Sequence, residues 1–277
     1  MTVATQPNTD QSRFASEGYA IQRTALPMAV VHETQEHLAR MVAGLSAEQR
    51  PEWLVEPHVR APDWGYWLEL CRHPQLLDDV AACLGCSELV LLMSHLIVKP
   101  AHDGLAILWH QDNTYWPSVH GTDIVTVWLA LDEVDVGNGC MHILPSSHAG
   151  FPALEKIPTD GADLLKVRVA VTPEMEQTAI PIELHAGEYS IHDSFVIHGS
   201  HPNRSTRRRA GYTMRYANAA TVGVDVAAHG KPVYYLRGDG SHLAAEVIDL
   251  RPGRPMPATS GGERFGCGPV SDEAMKR

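Results

Sequence analysis

Residues 187–217 read GEYSIHDSFVIHGSHPNRSTRRRAGYTMRYA. Two apolar runs, Glu188–Val196 and Arg209–Ala217, flank a polar turn around Pro202 and Asn203. That is the punctuation of two β-strands joined by a loop. The first strand delivers His198 at its end. The second opens on Arg209, and period-two alternation turns Gly211, Thr213 and Arg215 to the same face. The same style runs back through the chain, where Leu89–Lys99, Ile124–Leu131, Cys140–Leu144 and Lys166–Val171 are short runs separated by Gly, Pro, Asn and Asp. LLKVRVAV (164–171) alternates, whereas IVTVWLAL (124–131) is nearly continuous, as a strand buried on both faces would be. Many short strands punctuated by turns predict an all-β sandwich or barrel.

Ahead of residue 89 the pattern is helical. Pro27–Gly44 carries Met28, Val31, Leu38, Met41 and Val42 near helical spacing, and Pro74–Leu84 reads as a second helix capped by Gly85. Phe14–Ile21 reads as a short element feeding a strand, and residues 1–12 as a polar, disordered start. After Asp239 the chain is rich in Gly and Pro, which predicts a tail or lid over 239–277. Residues 1–277 thus read as one mainly β domain with N-terminal helices packed on it.

The 277 residues include 22 Lys and Arg against 33 Asp and Glu, a formal net charge of −11. That acid excess argues against nucleic acid or an anionic membrane as a general partner. No run reaches the roughly 18 apolar residues of a membrane span, and the longest, Leu89 to Val98, is broken by Ser94 and His95. Met1 to Asp10 lacks the basic and apolar regions of a signal peptide. Five scattered cysteines fit a reducing compartment, so a cytoplasmic location is expected. Oligomeric state leaves no readable trace. The 16 histidines raise the question of metal.

In Leu108-Trp109-His110-Gln111-Asp112, His and Asp stand at i and i+2. On a strand both side chains point to one face, giving a divalent metal an imidazole nitrogen and a carboxylate oxygen. A third ligand completes a two-His-one-carboxylate set with open positions, and the quoted stretch supplies His198 as that ligand, Ser200 as a hydroxyl and Arg209 as a guanidinium on adjacent strands. An arginine fork is the natural partner of a carboxylate. His201 is the nearest rival to His198, but it precedes the turn instead of ending a strand. The adjacent pairs His192-Asp193 and His102-Asp103 fail as chelates, because neighbours on a strand face opposite ways. Cys83 and Cys86 form a lone CxxC at a helix end. Arg204, Arg207 and Arg208 read as a solvated turn beside one inward anchor, Arg209.

Three motifs in order resemble the phytanoyl-CoA dioxygenase family of Fe(II)/2-oxoglutarate oxygenases. They are His110-Gln111-Asp112, then DEVDVGNGCMHILPSSH (132–148), then HGSHPNRSTRRRA (198–210), within a resemblance running from Phe14 to Ala217. Ser146 stands where the family's Leu-Pro-Gly-Ser-His run has glycine. The resemblance implies a double-stranded β-helix, or jelly roll, with helices packed on one sheet. It implies His110, Asp112 and His198 as iron ligands, and Arg209, eleven residues after His198, on the distal carboxylate of 2-oxoglutarate. Ser200 would support that carboxylate, and Gln111 and Trp128 would line the same cavity. The expected reaction uses O2 and hydroxylates a small-molecule metabolite with release of succinate and CO2. Desaturation, epoxidation or cyclisation stays open as an outcome. So does a cupin-like isomerase or hydrolase using the same ligands without 2-oxoglutarate, for which Arg209 would be idle. A carboxylate at Asp112, where related halogenases have a small residue, favours oxidation without halide. Tyr115 and Trp116 are expected to flank the substrate, and His95 to reach the pocket. If Arg215 faces the cavity with Arg209, the substrate carries an anionic group.

Overall fold

A computed structural model of the chain describes residues 9–150, 154–159, 165 and 167–265. Its largest element is an eight-stranded sheet. Along it the order is Tyr19–Gln22, Tyr189–Asp193, Ile124–Ala130, Arg209–Asn218, Leu89–Lys99, Tyr234–Arg237 and Ile248–Asp249, with Leu54–Val55 pairing Leu89–Lys99 off that path. All pairings are antiparallel except that of Tyr234–Arg237 with Ile248–Asp249.

Alternation gives this sheet two unlike faces. Tyr189, Ile191, Val125, Val127, Leu129, Ala210, Tyr212, Met214 and Tyr216 share one core with residues of three helices. These are Leu38 of Met28–Ala43, Trp67 and Leu68 of Trp64–Cys71, and Leu77 and Val80 of Pro74–Leu84. Each such side chain contributes about 1.5–3 kcal/mol on burial, so the helical layer is held by this face. The intervening residues (His192, Thr126, Trp128, Arg209, Gly211, Thr213 and Arg215) therefore turn to the other side. There a four-stranded sheet, ordered Ile180–Ile182, Met141–Ile143, His198–Ser200 and Ile107–His110, packs across them. Met141, Ile143 and Ile182 of the small sheet bury against Trp128 and Ala130 of the large one. Two facing sheets with helices on the outside of one make the jelly roll.

Several expectations need adjustment. The polar start is helical from Thr9, because Thr9–Glu17 carries Phe14 into the core at 7% exposure; residues 1–8 lie outside the described ones. The first part of the Gly/Pro-rich tail is docked, not free. Ile248–Asp249 joins the large sheet, Leu250 is buried, and Ser260 bonds Val59 and Tyr234 on the helical side. No described residue beyond Arg215 lines the cavity between the sheets, so residues 239–265 contribute no wall to it. Residues 266–277 lie outside the described ones, as does Lys166 of the Lys166–Val171 run, whose strand is Val167–Val169. Among the described residues no helix is long and apolar enough to cross a membrane.

Candidate metal and carboxylate site

Antiparallel register sets two histidines side by side on the small sheet. His198 pairs directly with His110, and their ring centroids are 4.1 Å apart. Each ring is held by its Nδ1 against a backbone carbonyl two residues upstream, His110 on Leu108 at 2.8 Å and His198 on Val196 at 3.1 Å. That leaves both Nε2 atoms facing the cavity. Asp112 is not on the strand, which ends at His110. Gln111 stays extended and Asp112 opens the 3-10 turn Asp112–Tyr115. One extended residue preserves the alternation, so the expected juxtaposition survives. Asp112 Oδ1 lies 3.6 Å from His110 Nε2 and 3.9 Å from His198 Nε2. Among the described residues, these three alone bring metal-ligand atoms within 4.8 Å of one another.

The other carboxylate oxygen is tied to the large sheet. Thr126 Oγ1 donates to Asp112 Oδ2 at 2.5 Å, and His192 Nε2 stands 3.6 Å from the same oxygen. Arg215 Nη2 stands 3.7 Å from Oδ1. His192, Thr126 and Arg215 form one row, since Thr126 is the register partner of both others. Burial works to raise the Asp112 carboxyl, but Arg215, then His110, His192 and His198, outweigh it and hold it well below the usual carboxylate range. Burial, reinforced by His110 and His192, holds the His198 imidazole well below its ordinary value. A carboxylate anion beside a neutral imidazole is the protonation state a divalent cation requires of its ligands. The chemistry of this donor set therefore fits one.

Deeper in the same cavity Arg209 is 1% exposed. Its guanidinium lies 4.5 Å from the Trp128 ring centre, and its Nε and Nη1 have no hydrogen-bond partner. Burial lowers its pKa to about 10, so it stays charged. A buried cation with idle donors is costly unless an anion meets it. The orphaned fork thus fits a carboxylate.

The cavity is ≈ 370 Å³ and takes its walls from both sheets. Of the residues expected there, His95, Tyr115, Trp116, Trp128, Ser200, Arg209 and Arg215 all line it with the three metal-ligand candidates. Gln111 does not. Alternation sends it opposite to its neighbours, where Nε2 donates to the Phe195 carbonyl at 2.7 Å. Thr126 went unread in the sequence, and His192 was set aside. The alternation that dismissed His192-Asp193 as a chelate also carries the signal that was missed, since Tyr189 and Ile191 in the helical core oblige His192 to face the metal candidates. Ser146 has φ +64°, a left-handed conformation that favours glycine, the residue the family resemblance leads one to expect there.

The phytanoyl-CoA dioxygenase (PhyH) family model matches residues 14–211. A probable phytanoyl-CoA dioxygenase of Caenorhabditis elegans is 28% identical over 156 residues, covering 54% of this chain and 50% of that protein. The chain spans about half the length of the curated relatives it matches. Among solved structures, the apo form of the non-heme monooxygenase ThoJ superposes with a TM-score of 0.69 at 24% identity, covering 92% of this chain and 91% of that one. EvdO2 of Micromonospora carbonacea var. aurantiaca, complexed with 2-oxoglutarate, gives 0.65 at 24% identity, covering 80% and 94%. These likenesses carry the jelly-roll fold, and the family match carries the lineage: the chain belongs to the phytanoyl-CoA dioxygenase (PhyH) family of Fe(II)/2-oxoglutarate-dependent oxygenases.

Proposed function

We propose that this chain is an Fe(II)/2-oxoglutarate-dependent dioxygenase that hydroxylates a small molecule and releases succinate and CO2. The observation that carries the reading is the orphaned Arg209 fork in the same cavity as the His110, Asp112 and His198 donors. A cupin-like isomerase or hydrolase would leave that buried cation without employment. The 2-oxoglutarate held by EvdO2 supports the same assignment.

His110, Asp112 and His198 would hold the iron, which with 2-oxoglutarate and O2 supplies the oxidising chemistry. Thr126 keeps Asp112 Oδ2 engaged, which leaves Oδ1 for the metal. Arg209, stacked on Trp128, and Ser200 would hold the distal carboxylate of the cosubstrate. Met93, Ile107, Tyr115, Trp116 and Leu165 give the cavity a largely apolar wall that excludes water and packs the substrate body. Arg215 donates Nη1 to Thr213 at 2.5 Å, while its buried Nε has no partner. We read the substrate as apolar in body, with one acceptor group, anionic in its strongest form, directed at that Nε.

Anaerobic Fe(II) followed by 2-oxoglutarate is expected to give a visible charge-transfer band that disappears in His110→Ala. In Arg209→Met the 2-oxoglutarate Kd is expected to rise at least 100-fold, from the roughly 3–5 kcal/mol that follows breaking a buried charge pair. No band in the wild-type protein, together with no succinate from any candidate substrate, would overturn the assignment.

A further inference from the structure

Lys99 ends the Leu89–Lys99 strand and is the direct register partner of Arg209. It is 0% exposed and sits behind the cavity wall. Its Nζ lies 2.6 Å from Ser200 Oγ, 2.5 Å from the His201 carbonyl and 3.4 Å from the Ser200 carbonyl. Both carbonyls can only accept. An ammonium has three donors and no acceptor, so three surrounding oxygens saturate it. The consequence falls on Ser200, whose hydroxyl has a single proton. With Lys99 donating to Oγ, that proton must point elsewhere, and Ser200 lines the cavity together with Arg209.

We propose that Lys99 is a positioning residue for the cosubstrate: by occupying the Ser200 oxygen it makes that hydroxyl an obligate donor toward the carboxylate gripped by Arg209. The inference rests on the function proposed above. Burial, then repulsion from Arg209, lowers the Lys99 pKa to about 6, with Glu52 and Cys140 acting the other way, so near neutral pH the ammonium that fixes Ser200 is the form brought in by the bound cosubstrate and not the resting form. An anion arriving beside Arg209 offsets that repulsion and favours the ammonium, so carboxylate binding and the donor orientation of Ser200 reinforce each other. A hydroxyl left free to point either way has no such bias.

Calorimetry on Ni(II)-loaded protein, without turnover, tests this. Lys99→Met is expected to raise the 2-oxoglutarate Kd roughly tenfold, as does losing one hydrogen bond to a charged group. Ser200→Ala does the same, and the double variant is no weaker than Ser200→Ala alone. Oxalate, which has the chelating end without the distal carboxylate, should bind both single variants as it binds wild type. Lys99→Gln, which returns a neutral donor, recovers part of the loss and serves as the variant should Lys99→Met not fold. Wild-type affinity in Lys99→Met, additive losses in the double variant, or an equal loss toward oxalate would each overturn the role. Wild-type protein that binds no 2-oxoglutarate at all would instead sink the functional reading.

Discussion

Gly211 shows how one missing atom shapes the cosubstrate end of the cavity. A Cβ there would stand 2.0 Å from Trp128 Cζ2 and 2.4 Å from Cη2, so the indole lies directly on the glycine backbone. Trp128 is in turn the surface on which the Arg209 guanidinium stacks. Gly211→Ala must push the ring aside and take the arginine's support with it. We expect a loss of about 1–3 kcal/mol in stability, the usual cost of overpacking. A rise of about tenfold or more in 2-oxoglutarate Kd should accompany it, because a cation–π contact in a desolvated site is worth about 2 kcal/mol or more. Thermal unfolding and calorimetry separate the two effects, and an unchanged Kd would show that Arg209 does not depend on its aromatic support. The sequence reading placed Gly211 on the cavity face by alternation alone. It did not show that Trp128 leans over it, because Trp128 is opposite Thr213 in register and reaches the glycine diagonally.

At the scale of elements, the junction between the helix Pro57–Arg60 and the Leu89–Lys99 strand makes stability depend on pH. His58 is 0% exposed, its Nδ1 meets Ser94 Oγ at 2.6 Å, and its Nε2 has no partner. Burial lowers its pKa to about 4 against the pull of Glu56. In the unfolded chain the same group takes a proton near its ordinary value of about 6.5. Between those values the unfolded state binds more protons, so stability is full above pH 6.5 and falls as pH drops toward 4. The loss is at most about 3 kcal/mol. His58→Asn, which keeps a polar partner for Ser94 without titrating, should be less stable than wild type at pH 8 but show a shallower decline from pH 6.5 to 4. An identical slope in chemical-denaturation series would assign the acid sensitivity elsewhere. This element was invisible in the sequence, as four residues opening on a proline carry no periodicity. The long helices were legible from their apolar spacing, and Gly85 ends the second with φ +60° as expected. His110 and Asp112 were legible because they lie in one strand-like step, and His198 because it closes an apolar run, although that run breaks at Asp193 and His198 opens a separate strand on the small sheet instead of ending the first. Thr126, His192 and Lys99 come from three strands joined only by cross-strand register, which no local pattern encodes.

Across the whole molecule, charge and composition describe the surface better than the site. The net charge is −11, yet Arg209 and Arg215 line one cavity with Lys99 behind it. Burial lets the two guanidiniums set the local field regardless of the total. Composition likewise misjudged the C-terminal segment. Its glycines and prolines suppress strand and helix signals, but Ser260 is 0% exposed at its centre. The Ser260 carbonyl accepts from Tyr234 at 2.5 Å, its Oγ donates to the Val59 carbonyl at 3.0 Å, and the same Oγ accepts from Gly262 N at 3.3 Å. The segment therefore braces the edge of the large sheet against the helical layer. Ser260→Ala leaves the Val59 carbonyl and the Gly262 amide without their partners in a dry site, at about 1–3 kcal/mol. For a chain of this size that lowers Tm by roughly 2–5 °C. Because the segment contributes nothing to the cavity wall up to Phe265, the 2-oxoglutarate Kd should stay within about twofold of wild type, a shift below ~0.4 kcal/mol. A lid would behave in the opposite way, with an unchanged Tm and a weakened Kd, so parallel thermal and calorimetric measurements on this one variant decide between brace and lid.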